Sequence, residues 1–158
     1  MIAIRPIPDA ALWLIRRWEG LRLKPYHDTA GIPTVCYGHV LSWKQRDDLS
    51  KFKTHTETEC LGFLEAEVPK YAAFVGNLIS APMTDGMYAA LISFTYNVGP
   101  RNLRLSTLRR MINRGDSVEA GEQFLRWVYD MNRNRLEGLL NRRRDERTVY
   151  LSDIHMLK

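Results

Sequence analysis

Cysteine is scarce in this chain, with only Cys36 and Cys60 among 158 residues. Two cysteines are too few for the disulfide framework of a small secreted scaffold, and neither sits in metal-ligand spacing. Both are therefore expected to be free thiols made in a reducing cytosol, a pairing between the two being the alternative, and no metal or cofactor is expected. Long hydrophobic runs are lacking too. Ala10 to Ile15 is cut short by Arg16-Arg17, and Met1 to Ala10 carries Arg5, Pro6, Pro8 and Asp9, so neither a signal peptide nor a membrane anchor is expected. There is no internal repeat, low-complexity tract or linker. A chain of this length makes a single domain, residues 1–158, and buries roughly 68–70% of its unfolded surface without staples.

What is present is positive charge, a formal net +5, which favours anionic partners. Arginines gather late, at Arg133, Arg135, Arg142, Arg143, Arg144 and Arg147, but Glu137, Asp145 and Glu146 are interleaved with them. A phosphate-tracking face is not usually seeded with carboxylates, so no nucleic-acid partner is expected.

The periodicities predict a first helix from about Asp9 to Trp18, with Gly20 as its stop. Leu21 to Leu41 then carries a small sheet, in which Thr29-Ala30-Gly31 turns between the extended runs Leu21 to Asp28 and Ile32 to Tyr37. Trp43 to Lys53 is polar and without clear period, the least informative stretch, and reads as a loop with one helical turn. Thr56-Glu57-Thr58-Glu59 fits a capping box opening a long amphipathic helix, and Pro69 inside it predicts a kink or break near Val68, a joint between two lobes. Further helices are expected from Thr84-Asp85 to Gly99-Pro100, from about Thr107 to Arg114, after Asp116, and from about Leu136 to Leu151. Helix, hairpin, then many helices is an α+β order with helix predominating. The small sheet lobe covers about 20–60 and the helical lobe 1–19 with 70–158, and ligands usually bind in the cleft between lobes.

Glu19 ends an apolar helical run, and Asp28 and Thr34 follow around the predicted hairpin turn. Two carboxylates in unlike surroundings, one beside aromatic groups such as Trp18 and one at a polar turn, suit glycosidic-bond cleavage, in which one stays protonated and the other ionised. Glu19 is the candidate acid. His39 reads as structural, paired with a carboxylate of the sheet lobe.

The pattern R-x-x-E-G-L-R-L-K-x-Y-x-D-T-x-G-x-x-T-x-x-x-G-H from Arg16 to His39 resembles the catalytic segment of the phage-type lysozymes, endolysins that hydrolyse peptidoglycan. Ser93 to Gly99, reading S-F-T-Y-N-V-G, resembles the cleft-lining helix end of that family. Leu136-Glu137-Gly138-Leu139 with Arg142, Arg143 and Glu146 resembles its C-terminal signature. Three separated motifs in order make the resemblance specific. It implies a lysozyme-like fold with the active-site cleft between the lobes and catalytic residues Glu19, Asp28 and Thr34. It also implies a monomeric muramidase that needs no cofactor and cuts the β-1,4 bond between N-acetylmuramic acid and N-acetylglucosamine. Such a protein waits in the host cytoplasm without stable membrane insertion and reaches the wall through a separately encoded holin. The alternatives are a lytic transglycosylase, a chitinase-like hydrolase or a non-catalytic wall-binding domain.

Gly38 either leaves room for a sugar ring or satisfies a close backbone approach. Tyr96 and Asn97 either stack on and hydrogen-bond an acetylated sugar, or pack the core and cap a helix. Arg142 and Glu146, at i and i+4, fit a plain helix-surface pair worth a few tenths of a kcal/mol. Arg143 beside an apolar stripe implies either a buried partner such as Glu146 or a role facing the cleft. Cys36 stands where the family commonly has glycine, and strand alternation puts it on the face of Thr34, as a thiol on the cleft floor.

Overall fold

The computed structural model describes residues 5–157. Part of the N-terminal stretch read above, residues 1–4, thus lies outside the described residues. The elements follow in the order α1 (Asp9–Glu19), β1 (Arg22–His27), β2 (Pro33–Cys36), β3 (His39–Val40), α2 (Glu57–Leu78), α3 (Asp85–Val98), α4 (Pro100–Leu105), α5 (Thr107–Arg114), α6 (Ser117–Ala120) and α7 (Glu137–Leu151). This is an α+β chain in which helix predominates, as its sequence order implies. It forms two compact units, Ile15–Glu67 and the rest of the described chain. Among the described residues no helix is long and apolar enough to cross a membrane.

Ile15–Glu67 is built on a three-stranded antiparallel sheet of order β1-β2-β3. Tyr26 pairs with Thr34 and His27 with Pro33, while an irregularity between Arg22 and Tyr26 shifts the register further back along β1. The expected loop of residues 43–53 does contain one short 3-10 turn, Leu49–Lys51. Its hub is the buried Asp47. The Asp47 carboxylate accepts from Lys51 Nζ at 2.6 Å, from Ser42 Oγ at 3.1 Å and from the Asp48 amide at 3.0 Å. The Lys51 hydrogen bond, helped by the other two, holds the Asp47 carboxyl below its ordinary value against the opposing effect of burial. The capping box also forms, with Glu59 N donating to Thr56 Oγ1 and Thr56 N to Glu59 Oε2.

The cysteines depart from the expectation of free thiols. Cys36 and Cys60 form a disulfide, with Cα atoms 5.0 Å apart, within the range a bridge needs. Cys36 ends β2 at φ 62, just before the tight turn into β3. The thiol expected on a cleft floor is a bridged sulfur, 1% exposed. The same backbone angle explains why glycine suits this position, since a non-glycine residue in the left-handed region costs about 1–2 kcal/mol.

In the other unit α3 is apolar nearly all round, and every residue from Gly86 to Thr95 is buried. Gly86 lets α7 approach closely, because a Cβ there would meet the Val149 carbonyl oxygen at 2.4 Å. Phe94 packs edge-on to Phe124 and Trp127. Two expectations need correction. The long helix α2 runs unbroken from Glu57 to Leu78 across Pro69, because one proline removes one hydrogen bond while buried Val68, Ala72 and Val75 still anchor the helix. Its passage from one compact unit to the other falls between Glu67 and Val68. Arg142 and Glu146 are not a surface pair, since Glu146 is 0% exposed and Arg142 is buried with it.

Cys60→Ala should lower stability by roughly 3 kcal/mol, the scale expected for a bridge closing a loop of this size. Adding Cys36→Gly to that variant should recover about 1 kcal/mol by relieving the left-handed backbone. Urea denaturation of wild type, single and double variants measures both, and no recovery in the double variant would count against a strained Cys36. For Asp47 the folded carboxyl titrates below its unfolded value near 3.9, so its contribution is present above that pH and is lost as pH falls through the folded value. Thermal melts should therefore separate wild type from Asp47→Asn at neutral pH and converge in acid below about pH 4.

Candidate active site

Glu19 is the last residue of α1, half-buried, and Gly20 at φ 70 turns the chain away immediately after it. Glycine is favoured by that angle, and the Gly20 amide still closes the helix by donating to Arg16 O at 3.3 Å. The acid is thereby presented where the helix stops.

Asp28 follows β1 and organises the turn. Its Oδ1 accepts from the amides of Ala30 at 2.8 Å and Ile32 at 2.9 Å, while its own amide donates to Ile32 O at 3.0 Å. One carboxylate oxygen is thus committed to the turn, a local side-chain-to-backbone arrangement typical of aspartate. Thr34 begins the return, and its Oγ1 donates to the same Ile32 carbonyl at 2.9 Å. With its proton committed, the Thr34 hydroxyl keeps lone pairs to accept with. Thr34 is only 3% exposed.

Tyr26 joins these three residues and sequence reasoning missed it. It stands directly opposite Thr34 in the sheet, with the Arg22 guanidinium 4.2 Å over its ring. Burial pushes its hydroxyl above the ordinary phenol value; Arg22 pulls it back, and the Glu19 and Asp28 carboxylates add to the rise. One side chain therefore feels both acids. The signal was available, since Tyr26 belongs to the extended run that the predicted hairpin sets against the strand of Thr34.

The turn carrying Asp28 is braced from outside by residues 42–47. Gln45 Nε2 donates to Ala30 O at 2.8 Å and the Arg46 amide to Gly31 O at 2.7 Å. His27 Nε2 donates to the Asp47 carbonyl at 2.9 Å. Gly31 at φ 78 also accepts the close approach, because a Cβ there would lie 3.2 Å from Gln45 Cγ. Nothing in the sequence of this polar stretch announces a brace, because it works through backbone carbonyls.

Gly38, at φ 85, serves the tight β2–β3 turn. His39 pairs through Nδ1 with Glu67 and stacks on Phe63 at 4.1 Å, the structural role expected of it. Tyr96 and Asn97 lie near the end of α3 in the other compact unit. Tyr96 is half-buried against Tyr71, ring centroids 4.9 Å apart. The exposed Asn97 has its Oδ1 held by Arg143 Nη2, which leaves its amide NH₂ as the group to donate. Arg143 also donates to Glu146 at 2.5 Å and to Trp127 O at 3.0 Å. Arg142 donates to Glu146 at 3.0 Å and to Ser93 O at 3.1 Å. The buried partner anticipated for Arg143 is Glu146.

The family model described as phage lysozyme matches residues 16–146. The chain is similar to a SAR-endolysin of Bacteriophage PS119, 41% identical over 133 residues, which are 84% of this chain and 76% of that relative. Among solved structures it is similar to the endolysin from Escherichia coli O157:H7 phage FAHEc1, at TM-score 0.79 and 30% identity over 96% of this chain and 97% of that one. It is also similar to the muramidase domain of SpmX from Asticaccaulis excentricus, at TM-score 0.82 and 26% identity over 94% of this chain and 99% of that one. With a lysozyme-like fold and a family match that spans Glu19, Asp28 and Thr34, the chain belongs to the phage lysozyme family and is a lysozyme-type enzyme.

Proposed function

We propose that the protein is a muramidase that hydrolyses the β-1,4 bond between N-acetylmuramic acid and N-acetylglucosamine of peptidoglycan and so lyses the host at the end of a phage infection. The observation that carries this reading is the division of labour at the turn. Asp28 spends Oδ1 on two backbone amides, while its other oxygen is not needed for the turn. A water held between that oxygen and the Thr34 hydroxyl donates a hydrogen bond to each and turns a lone pair towards the anomeric carbon; as the new C–O bond forms, one proton passes to Asp28 and the other stays on the product hydroxyl. Glu19, at its helix end, protonates the leaving glycosidic oxygen. The low exposure of Thr34 means that such a water is sequestered. These roles support direct attack by water and inversion, rather than a covalent intermediate on Asp28.

A lytic transglycosylase works with the glutamate alone, and the ordered Asp28–Thr34 pair supports hydrolysis over it. Tyr96 and Asn97 are assigned to sugar binding, with the Asn97 NH₂ donating to an acetamido carbonyl; Gly38 keeps backbone close to the substrate. The protein acts as a monomer and needs no cofactor. The wall-facing compartment is its place of action, reached through a holin, and the Cys36–Cys60 bridge supports it because such bonds persist in oxidising compartments.

Glu19→Gln and Asp28→Asn should both stay folded. In Asp28→Asn the amide oxygen still accepts from Ala30 and Ile32, so only the charge is lost. Each should cut turnover by at least about 10²–10⁴-fold. Mass spectrometry of digested peptidoglycan reads the chemistry: a reducing N-acetylmuramic acid end is expected. An anhydro end would establish a transglycosylase, intact glycan a binding domain, and near-normal lysis by folded Glu19→Gln would falsify the acid assignment.

A further inference from the structure

The loop that braces the Asp28 turn also carries the most conspicuous surface feature of its unit, Trp43, whose side chain is 82% exposed. A singly exposed indole is ordinary on a surface, and what marks this one is its setting, a hydrogen-bonded loop that also exposes two cations. Its exposure is built in, because the residues around it are fixed. The Lys44 amide donates to Ser42 Oγ at 3.1 Å, Ser42 Oγ donates to Asp47 at 3.1 Å, and Gln45 and Arg46 hold the Ala30 and Gly31 carbonyls. Lys44 and Arg46 follow it within three residues and are both exposed. Asp47, the carboxylate nearest to hand, is engaged mainly by Lys51 at 2.6 Å, with Lys44 further away at 3.9 Å. The result is a rigid tip with an aromatic face and two outward cations, one hydrogen bond from the turn that holds Asp28.

We propose that Trp43, Lys44 and Arg46 form an outer subsite for peptidoglycan strands, the indole lying on a sugar ring and the two cations meeting the carboxylates of the peptide stems. This rests on the hydrolase reading above and adds to it the recognition of stem-bearing, as opposed to bare, glycan. A flat aromatic face suits the apolar face of a pyranose, and exposed cations suit carboxylates that branch from the strand at intervals. Attachment of the tip to the Asp28 turn makes occupancy of this subsite a means of holding a strand beside the reacting bond.

The test uses soluble glycan strands, stems intact or removed by an amidase, with binding and turnover measured separately at low and high salt. Wild type should bind stem-bearing strands more tightly, and the preference should shrink with salt. Lys44→Gln/Arg46→Gln should reduce that preference by about three- to tenfold, chiefly through KM, as expected for two exposed ion contacts. Trp43→Ala should raise the dissociation constant for both kinds of strand. A double variant that keeps the wild-type preference, or a Trp43→Ala protein that binds both strands like wild type, overturns the proposal. Loss of binding to phosphatidylglycerol vesicles by the double variant with the strand preference intact also overturns it, and assigns the tip to a lipid surface. A protein that binds with this preference but cleaves neither strand would sink the hydrolase reading and leave the subsite standing.

Discussion

The two amide hydrogen bonds accepted by Asp28 Oδ1 constrain most of what surrounds them. They pull Ala30 and Ile32 inward, which turns the Ala30 and Gly31 carbonyls outward to be taken by Gln45 and the Arg46 amide. They also fix the Ile32 carbonyl between the Asp28 amide and the Thr34 hydroxyl. Each of these bonds exchanges with water at little net gain, on the order of 1 kcal/mol apiece. Their value lies in geometry. A reacting group misplaced by about an ångström can lose about 10²-fold in rate.

The helical unit solves a different problem with the same economy of partners. Glu146 receives Arg142 on Oε1 and Arg143 on Oε2, and Ser93 donates to it as well. Breaking such a buried set by removing one member is expected to cost about 3–5 kcal/mol, because the others are left charged and dry. The set reaches outward through Arg143 to the Asn97 amide, so an interior ion cluster decides which way a half-turn of surface chemistry faces.

How much of this could be read in the sequence differs by kind of interaction. Period and caps are local, so α1, the hairpin, the capping box at Thr56 and Glu59, and the ends of α3 and α5 were all legible. The places of Asp28 and Thr34 on either side of the hairpin turn, and of Glu19 at the end of α1, were legible too. What was not legible depends on φ or on distant partners. The left-handed angle at Cys36 leaves no mark in the residue pattern. Its partner Cys60 is 24 residues away, across a stretch with no periodicity to fold it back. The interleaved acids and bases of α7 look like a solvated face in one dimension, and only packing against the wholly buried α3 shows that Arg142, Arg143 and Glu146 point inward. The α4 helix was missed because Pro100 reads equally as the end of one helix and the first residue of the next.

The strained turn at Cys36 has a consequence for the order in which this sequence could have arisen. A cysteine entering position 36 alone would bring the left-handed cost with nothing to offset it, whereas a cysteine at the buried position 60 is a small apolar residue that can be accepted on its own. Substitution at 60 is thus the permissive step, and 36 follows. With both in place, loss of the cysteine at 60 strands the other in an unfavourable angle with no bridge to offset it, so the two positions are coupled and a change at 36 is the less costly one to come first.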